Sequence, residues 1–171
     1  KMLAAGMSST TRGLFGGGGE PGHSNNVSSI EFHSQGNCAN FGDLTLARSY
    51  VAGVSSQTRG AIGGGLAPAS NVIDYGTIAT MGNFADFGDL TLARQYLEGN
   101  GSPTRGMFHG GLSPVTDTVD YITIASTGDA TDFGNLSGNR YAMGCGSSGT
   151  RGLVAGGAAP ANDSLSNIIE Y

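Results

Sequence analysis

Seven arginines and a single lysine carry all the fixed positive charge of this 171-residue chain, and none of the arginines is scattered. Arg12, Arg59, Arg105 and Arg151 each stand in Thr-Arg-Gly at spacings of 47, 46 and 46 residues, while Arg48, Arg94 and Arg140 end a second recurring block. Eight of the thirteen acids keep the same beat: Glu31, Asp74, Asp120 and Glu170 beside an aromatic, Asp43 and Asp89 after Phe-Gly, Asp86 and Asp132 before it. A guanidinium is a planar fork of donors matched to carboxylates and carbonyls, so cations and acids sharing one period predict ties between adjacent strands or blades. The other chemistry open to them is a ring of arginines around an anionic ligand. Sites tend to depart from a repeat whereas scaffold residues follow it, which favours the ties. Removing one partner would cost about 3–5 kcal/mol if the pair is buried and about 0–1 kcal/mol if it is exposed.

The remaining reactive side chains form no catalytic pattern in the sequence. His23, His33 and His109 fall in different repeat slots, and one imidazole makes no zinc site. His109 breaks the pattern, standing where Gly16, Gly63 and Ala155 stand, and reads as a surface or lining substitution rather than a metal or substrate contact. Cys38 aligns with Phe84 and Ala130, and Cys145 with Met7, Val54 and Asn100, so the thiols read as separate, free, small apolar residues. Asp-Phe-Gly at 86–88 and 132–134 repeats the letters of a kinase motif without its lysine or catalytic loop. A glycine-rich phosphate cradle needs a lysine, and the one lysine is Lys1. No cofactor or metal is expected.

The elements that must hold these residues follow from the repeat and the composition. Glycine supplies 31 residues, which disfavours helices because each interior glycine costs about 1 kcal/mol there. Phe-Gly-Asp-Leu-Thr-Leu-Ala-Arg at 41–48 recurs unchanged at 87–94 and diverges to Phe-Gly-Asn-Leu-Ser-Gly-Asn-Arg at 133–140. In the second unit, strands are predicted over Tyr50 to Val54, Arg59 to Gly63, Asn71 to Ala79 and Phe84 to Leu92, separated by glycine and proline clusters. Four short strands per period of this length is the pattern of β-propeller blades. The units expected are 1–49, 50–95, 96–140 and a partial 141–171, an all-β propeller of four-stranded blades with an incomplete ring. Phe41, Phe87 and Phe133 are expected between blades, with carbohydrate stacking as the alternative role. The turns after Gly-Gly vary most and are where recognition would reside.

The order of these elements resembles the kelch repeat. Its Gly-Gly matches Gly64 and Gly65, Gly110 and Gly111, Gly156 and Gly157; its tyrosine matches Tyr75, Tyr121 and Tyr171, with Phe32 substituting in the first unit. The family's fourth-strand tryptophan is absent, and Phe41, Phe87 and Phe133 stand in its place. Thr-Ile-Ala-Ser-Thr-Gly at 123–128 before Asp-Phe-Gly, with Ser-Ser-x-Thr-Arg-Gly, is similar to kelch-like repeats in virion structural proteins of marine tailed phages.

That resemblance implies a noncatalytic structural or adhesive module at a virion surface or outside the cell. Its partners would be other virion proteins, further blades of the same polypeptide or a host-surface glycan. A glycan-acting enzyme with catalytic groups outside this segment is the alternative. A net charge of −5 and a pI near 4.9 give no basic stripe for nucleic acid. No run of 18 apolar residues predicts membrane insertion. The repeat arithmetic stops short of a closed ring, so either the chain is part of a longer one or a homo-oligomer completes it.

Overall fold

The computed structural model describes residues 2–19, 21–159 and 164–171. Fifteen strands fall into four antiparallel sheets, with no helix among the described residues. Blade 1 is β1 (Ala5–Ser8), β2 (Arg12–Gly16), β3 (Ser24–Glu31) and β4 (Ala39–Arg48). Blade 2 is β5 (Ala52–Ser55), β6 (Arg59–Gly63), β7 (Val72–Thr77) and β8 (Ala85–Asp89). Blade 3 is β9 (Glu98–Gly101), β10 (Arg105–Gly111), β11 (Thr116–Thr123) and β12 (Thr131–Asn135). Blade 4 has β13 (Gly144–Ser147), β14 (Gly152–Ala155) and β15 (Ile169–Glu170). Each sheet is a meander, and the sheets succeed one another as in a four-bladed propeller, first strand beside first strand.

In blade 2, β6 has the bounds the sequence pattern suggests, and the other three strands are shorter, because the flanking residues bond elsewhere. Ile78 donates its amide to the Thr58 carbonyl at 2.9 Å, outside the strand ladder. Tyr50 has φ +57°, a left-handed turn conformation rather than a strand. Its equivalents Leu3, Tyr96 and Ala142 have φ 62°, 54° and 51°. They form an amide thread across the blades: Tyr50 to the Leu3 carbonyl at 3.0 Å, Tyr96 to Tyr50 at 3.1 Å, Ala142 to Tyr96 at 3.0 Å.

Two apolar seams make the core. Between blades 1 and 2, Met7, Leu14, Val27, Phe41 and Leu44 meet Val51, Ile62, Ile78 and Phe84. Between blades 2 and 3, Val54, Ile73, Phe87 and Leu90 meet Leu97, Phe108, Ile122 and Ile124. Close approach depends on glycine at one slot: a β-carbon on Gly63 would lie 2.9 Å from the Phe108 ring, and one on Gly16 would collide with Ile62. In blade 3 this slot carries His109, and blade 4 brings the smaller Val154 to the position of Ile62 and Phe108. Side-chain volume is exchanged across the seam rather than added.

Candidate functional site

The second arginine series forms a repeated clamp between blades. Arg48 leaves the end of β4 and reaches into blade 2, where Nη2 meets Asp74 Oδ2 at 2.6 Å and Nη1 donates to the carbonyls of Gly64 (2.7 Å) and Val72 (2.6 Å). Thr45, three residues earlier, donates its hydroxyl to Asp74 Oδ1 at 2.6 Å and its amide to Oδ2 at 3.2 Å. Arg94 and Asp120 repeat the pair at 3.1 Å, with Thr91 donating to both carboxylate oxygens. Arg140 and Glu170 repeat it again, with the Ser137 amide donating to Glu170 at 2.8 Å. Burial pulls the Arg48 and Arg94 pKa values down, and their carboxylates counter it. Glu170 is held below the usual carboxylate range: burial opposes this, but Ser137 and Arg140 outweigh it.

The first arginine series is organised differently. Arg59, Arg105 and Arg151 stack over Tyr75, Tyr121 and Tyr171 at 4.5, 4.5 and 4.7 Å. Phe87 and Phe133 meet Tyr75 and Tyr121 edge-on at 5.6 and 6.0 Å. Arg12 pairs with Glu31 across β2 and β3 and lies 5.8 Å over Phe41. Phe41 and Phe87 are buried, but Phe133 is 55% exposed, because the cleft beside blade 4 leaves it without the cover the other two receive.

The structure corrects the alignment of blade 1. Ser28 stands opposite Phe15 as Asp74 stands opposite Ile62, so Ser28, not Glu31, occupies the clamp acid's place. Phe32 donates its amide to the Thr11 carbonyl as Ile78 does to Thr58, so it matches Ile78 rather than Tyr75. Cys145 pairs with Val154 as Gly53 pairs with Ile62, one residue off the register expected from the sequence. Both cysteines are free.

A polar group absent from the other seams collects where blade 3 faces blade 4. His109 is buried rather than on the surface, with Nε2 3.0 Å from Asn100 Oδ1, and its Nδ1 has no hydrogen-bond partner among the described residues. Asn100 donates to the carbonyls of Leu153 (3.1 Å) and Gly146 (3.3 Å), tying the blades together. Burial lowers His109 to about 4, with Arg94 adding to it. Glu98, opposite His109 in the ladder, is raised to about 7 by burial. Cys145 is pushed up to about 12 by burial, with Glu98 adding, which keeps the thiol protonated and unreactive at neutral pH. Beside this group opens a cleft of about 840 Å³ lined by Arg105, Met107, Val119, Phe133, Asn135, Val154 and Tyr171 among others.

No protein-family model matches the chain, and no curated protein is significantly similar to it. The architecture rests on the repeat and the four sheets, which make a propeller-like scaffold. Among the described residues no three of His, Cys, Asp and Glu gather as metal ligands, and no helix is long and apolar enough to cross a membrane.

Sequence reasoning missed the tyrosine stack on the amide thread. Tyr50 and Tyr96 lie 3.9 Å apart between ring centroids, and Tyr141 meets Tyr96 edge-on at 6.1 Å. Its signal was Arg-x-Tyr at 48–50 and 94–96, interrupted at Arg140-Tyr141.

Proposed function

We propose that this chain is a noncatalytic structural or adhesive β-propeller module of the kelch-like kind, a phage virion component such as a capsid decoration, tail or fibre part. It works at the particle surface or outside the cell, holding variable turns out to protein or glycan partners. The observation that carries the reading is the division of labour in each blade. Arg48, Arg94 and Arg140 spend their charge inside the seams, while Pro21 to His23, Ala67 and Pro68, and Ser113 and Pro114, in the turns after Gly-Gly, are exposed. A rigid scaffold with exposed turns that differ from blade to blade offers surface for recognition. The virion assignment rests on the likeness of the repeat wording to phage structural proteins.

Purified chain incubated with phage particles and with host-surface glycans tests it. Stable association without release of cleaved sugar is the expected result. Glycan turnover would overturn it in favour of a propeller enzyme.

A further inference from the structure

Blade 1 lacks the tyrosine of the other blades. Ser29 stands opposite Leu14 and Ala39 as Tyr75 stands opposite Ala61 and Ala85, and Tyr121 opposite Met107 and Thr131, so a serine holds the tyrosine slot. In blades 2 and 3 that ring is held from two sides, by a guanidinium over its face and by Phe87 or Phe133 edge-on. In blade 1 the holders remain. Arg12 Nη1 donates to the Ile78 carbonyl at 2.8 Å as Arg59 Nη1 donates to the Ile124 carbonyl at 3.0 Å, which fixes both guanidinium groups at the same place against the next blade. Phe41 keeps the place of Phe87 and meets Phe84 edge-on at 6.3 Å instead of a tyrosine.

At the tyrosine slot of blade 1 there is a pocket of about 300 Å³, with Arg12, the buried Ser29 and Met81 in its wall. A cavity of about 150 Å³ is enough to take benzene. The polar part of the wall belongs to blade 1 alone. Glu31 stands opposite Arg12 where blades 2 and 3 set Thr77 and Thr123 opposite the arginine, and Gln35 and Asn37 line the same space. Both blades that form the pocket are complete four-stranded sheets, so its shape follows from the residue at position 29.

We propose that this pocket binds a phenol, a single aromatic ring carrying a hydroxyl, in the place the repeat gives to tyrosine. The ring lies against the Arg12 guanidinium in a cation–π contact, as Tyr75 lies against Arg59. Met81 brings its thioether to the ring, and Glu31, Gln35 and Asn37 offer oxygens that accept from the hydroxyl. The site goes beyond the recognition assigned to the exposed turns, and neither depends on the other.

The probe is p-cresol, the side chain of tyrosine without its backbone, titrated into the isotope-labelled full chain and followed by amide NMR shifts. Saturable shifts confined to the pocket, at Ser29, Gln35 and Met81 among others, are expected with a Kd of about 1 mM, as suits so small a ligand. The saturated analogue methylcyclohexanol has the same skeleton without the π face and should bind about two- to fivefold more weakly. Ser29→Tyr puts the repeat's own ring in the pocket and should abolish the p-cresol shifts, with amide dispersion showing that the variant folds. N-acetyltyrosinamide distinguishes the source of the ring: binding tighter than p-cresol assigns the site to a tyrosine of a partner chain, weaker binding to a free phenol, and both uphold the pocket. No saturable shift, equal binding of the saturated ring, or p-cresol shifts unchanged in Ser29→Tyr overturns the proposal.

Discussion

Phe108 of blade 3 lies where Gly63 of blade 2 has no side chain, its ring 2.9 Å from the place a β-carbon would occupy. The seam is close-packed at this point, so adding one methyl displaces a fully buried ring. Gly63→Ala should destabilise the protein by about 1–3 kcal/mol, the usual range for overpacking. Gly6→Ala, whose added carbon meets nothing within 4 Å, should be neutral or stabilising by up to about 1 kcal/mol through the unfolded chain. Denaturant midpoints of the two variants check this, and equal midpoints would remove the close-packing argument.

The clamps differ in burial, which ranks them. Asp74→Ala strands the fully buried Arg48 and should cost about 3–5 kcal/mol. Glu170→Ala should cost less, since Glu170 keeps partial contact with water. Arg151→Ala, on an exposed stack, should change stability by under about 1 kcal/mol. Thermal unfolding of the three gives the order, and a coupling energy near zero in an Arg48/Asp74 double-mutant cycle would contradict the clamp.

Glu98 and His109 should pull stability in opposite directions with pH. His109, depressed from 6.5 to about 4, contributes stability above pH 6.5 that is lost as pH falls through about 4. Glu98, raised from 4.5 to about 7, contributes stability below pH 4.5 that is lost as pH rises through about 7. In the native protein the two slopes oppose each other between those limits. Glu98→Gln should therefore leave a melting temperature that drops on acidification, and His109→Gln one that drops as pH rises from 4.5 toward 7. Parallel profiles for the two variants would refute the assignment.

Cys145 should react more slowly with alkylating agents, its half-buried thiol being held protonated, while the exposed Cys38 reacts. Mass spectrometry after iodoacetamide at pH 8 should find the first adduct on Cys38. Equal labelling of both would show that the blade 4 seam opens in solution.

Strand number, blade period and the Phe-Gly and Gly-Gly landmarks were legible in the sequence because each depends on local pattern: alternation, turn residues and a period counted along the chain. Partnership across a ladder is not local. Glu31 beside Phe32 carries the same acid-aromatic signature as Asp74 beside Tyr75, yet β3 meets β2 in a register that puts Ser28 in the clamp position and Glu31 against Arg12. The Cys145 slot slipped by one residue for a similar reason, since its neighbours are all small and offer no anchor. His109 could have been read as buried from its context: a large residue replaces glycine where the opposing blade exchanges phenylalanine for valine.

The amide thread through Leu3, Tyr50, Tyr96 and Ala142 acts as a ruler. Its steps are 47, 46 and 46 residues, and a residue inserted within a strand would slide the next rung out of reach. Length can vary only where no rung is fixed, and it does. From the seam slot to its ladder partner the chain takes 10 residues in blades 2 and 3 (Gly63 to Ile73, His109 to Val119), 11 in blade 1 (Gly16 to Val27) and 14 in blade 4 (Ala155 to Ile169). Lengthening a surface loop is cheap, about 0.6 kcal/mol for each doubling. The turn after Gly-Gly is thus the port at which foreign sequence, an epitope or a binding loop, can be spliced in while the spacing of the blades stays fixed.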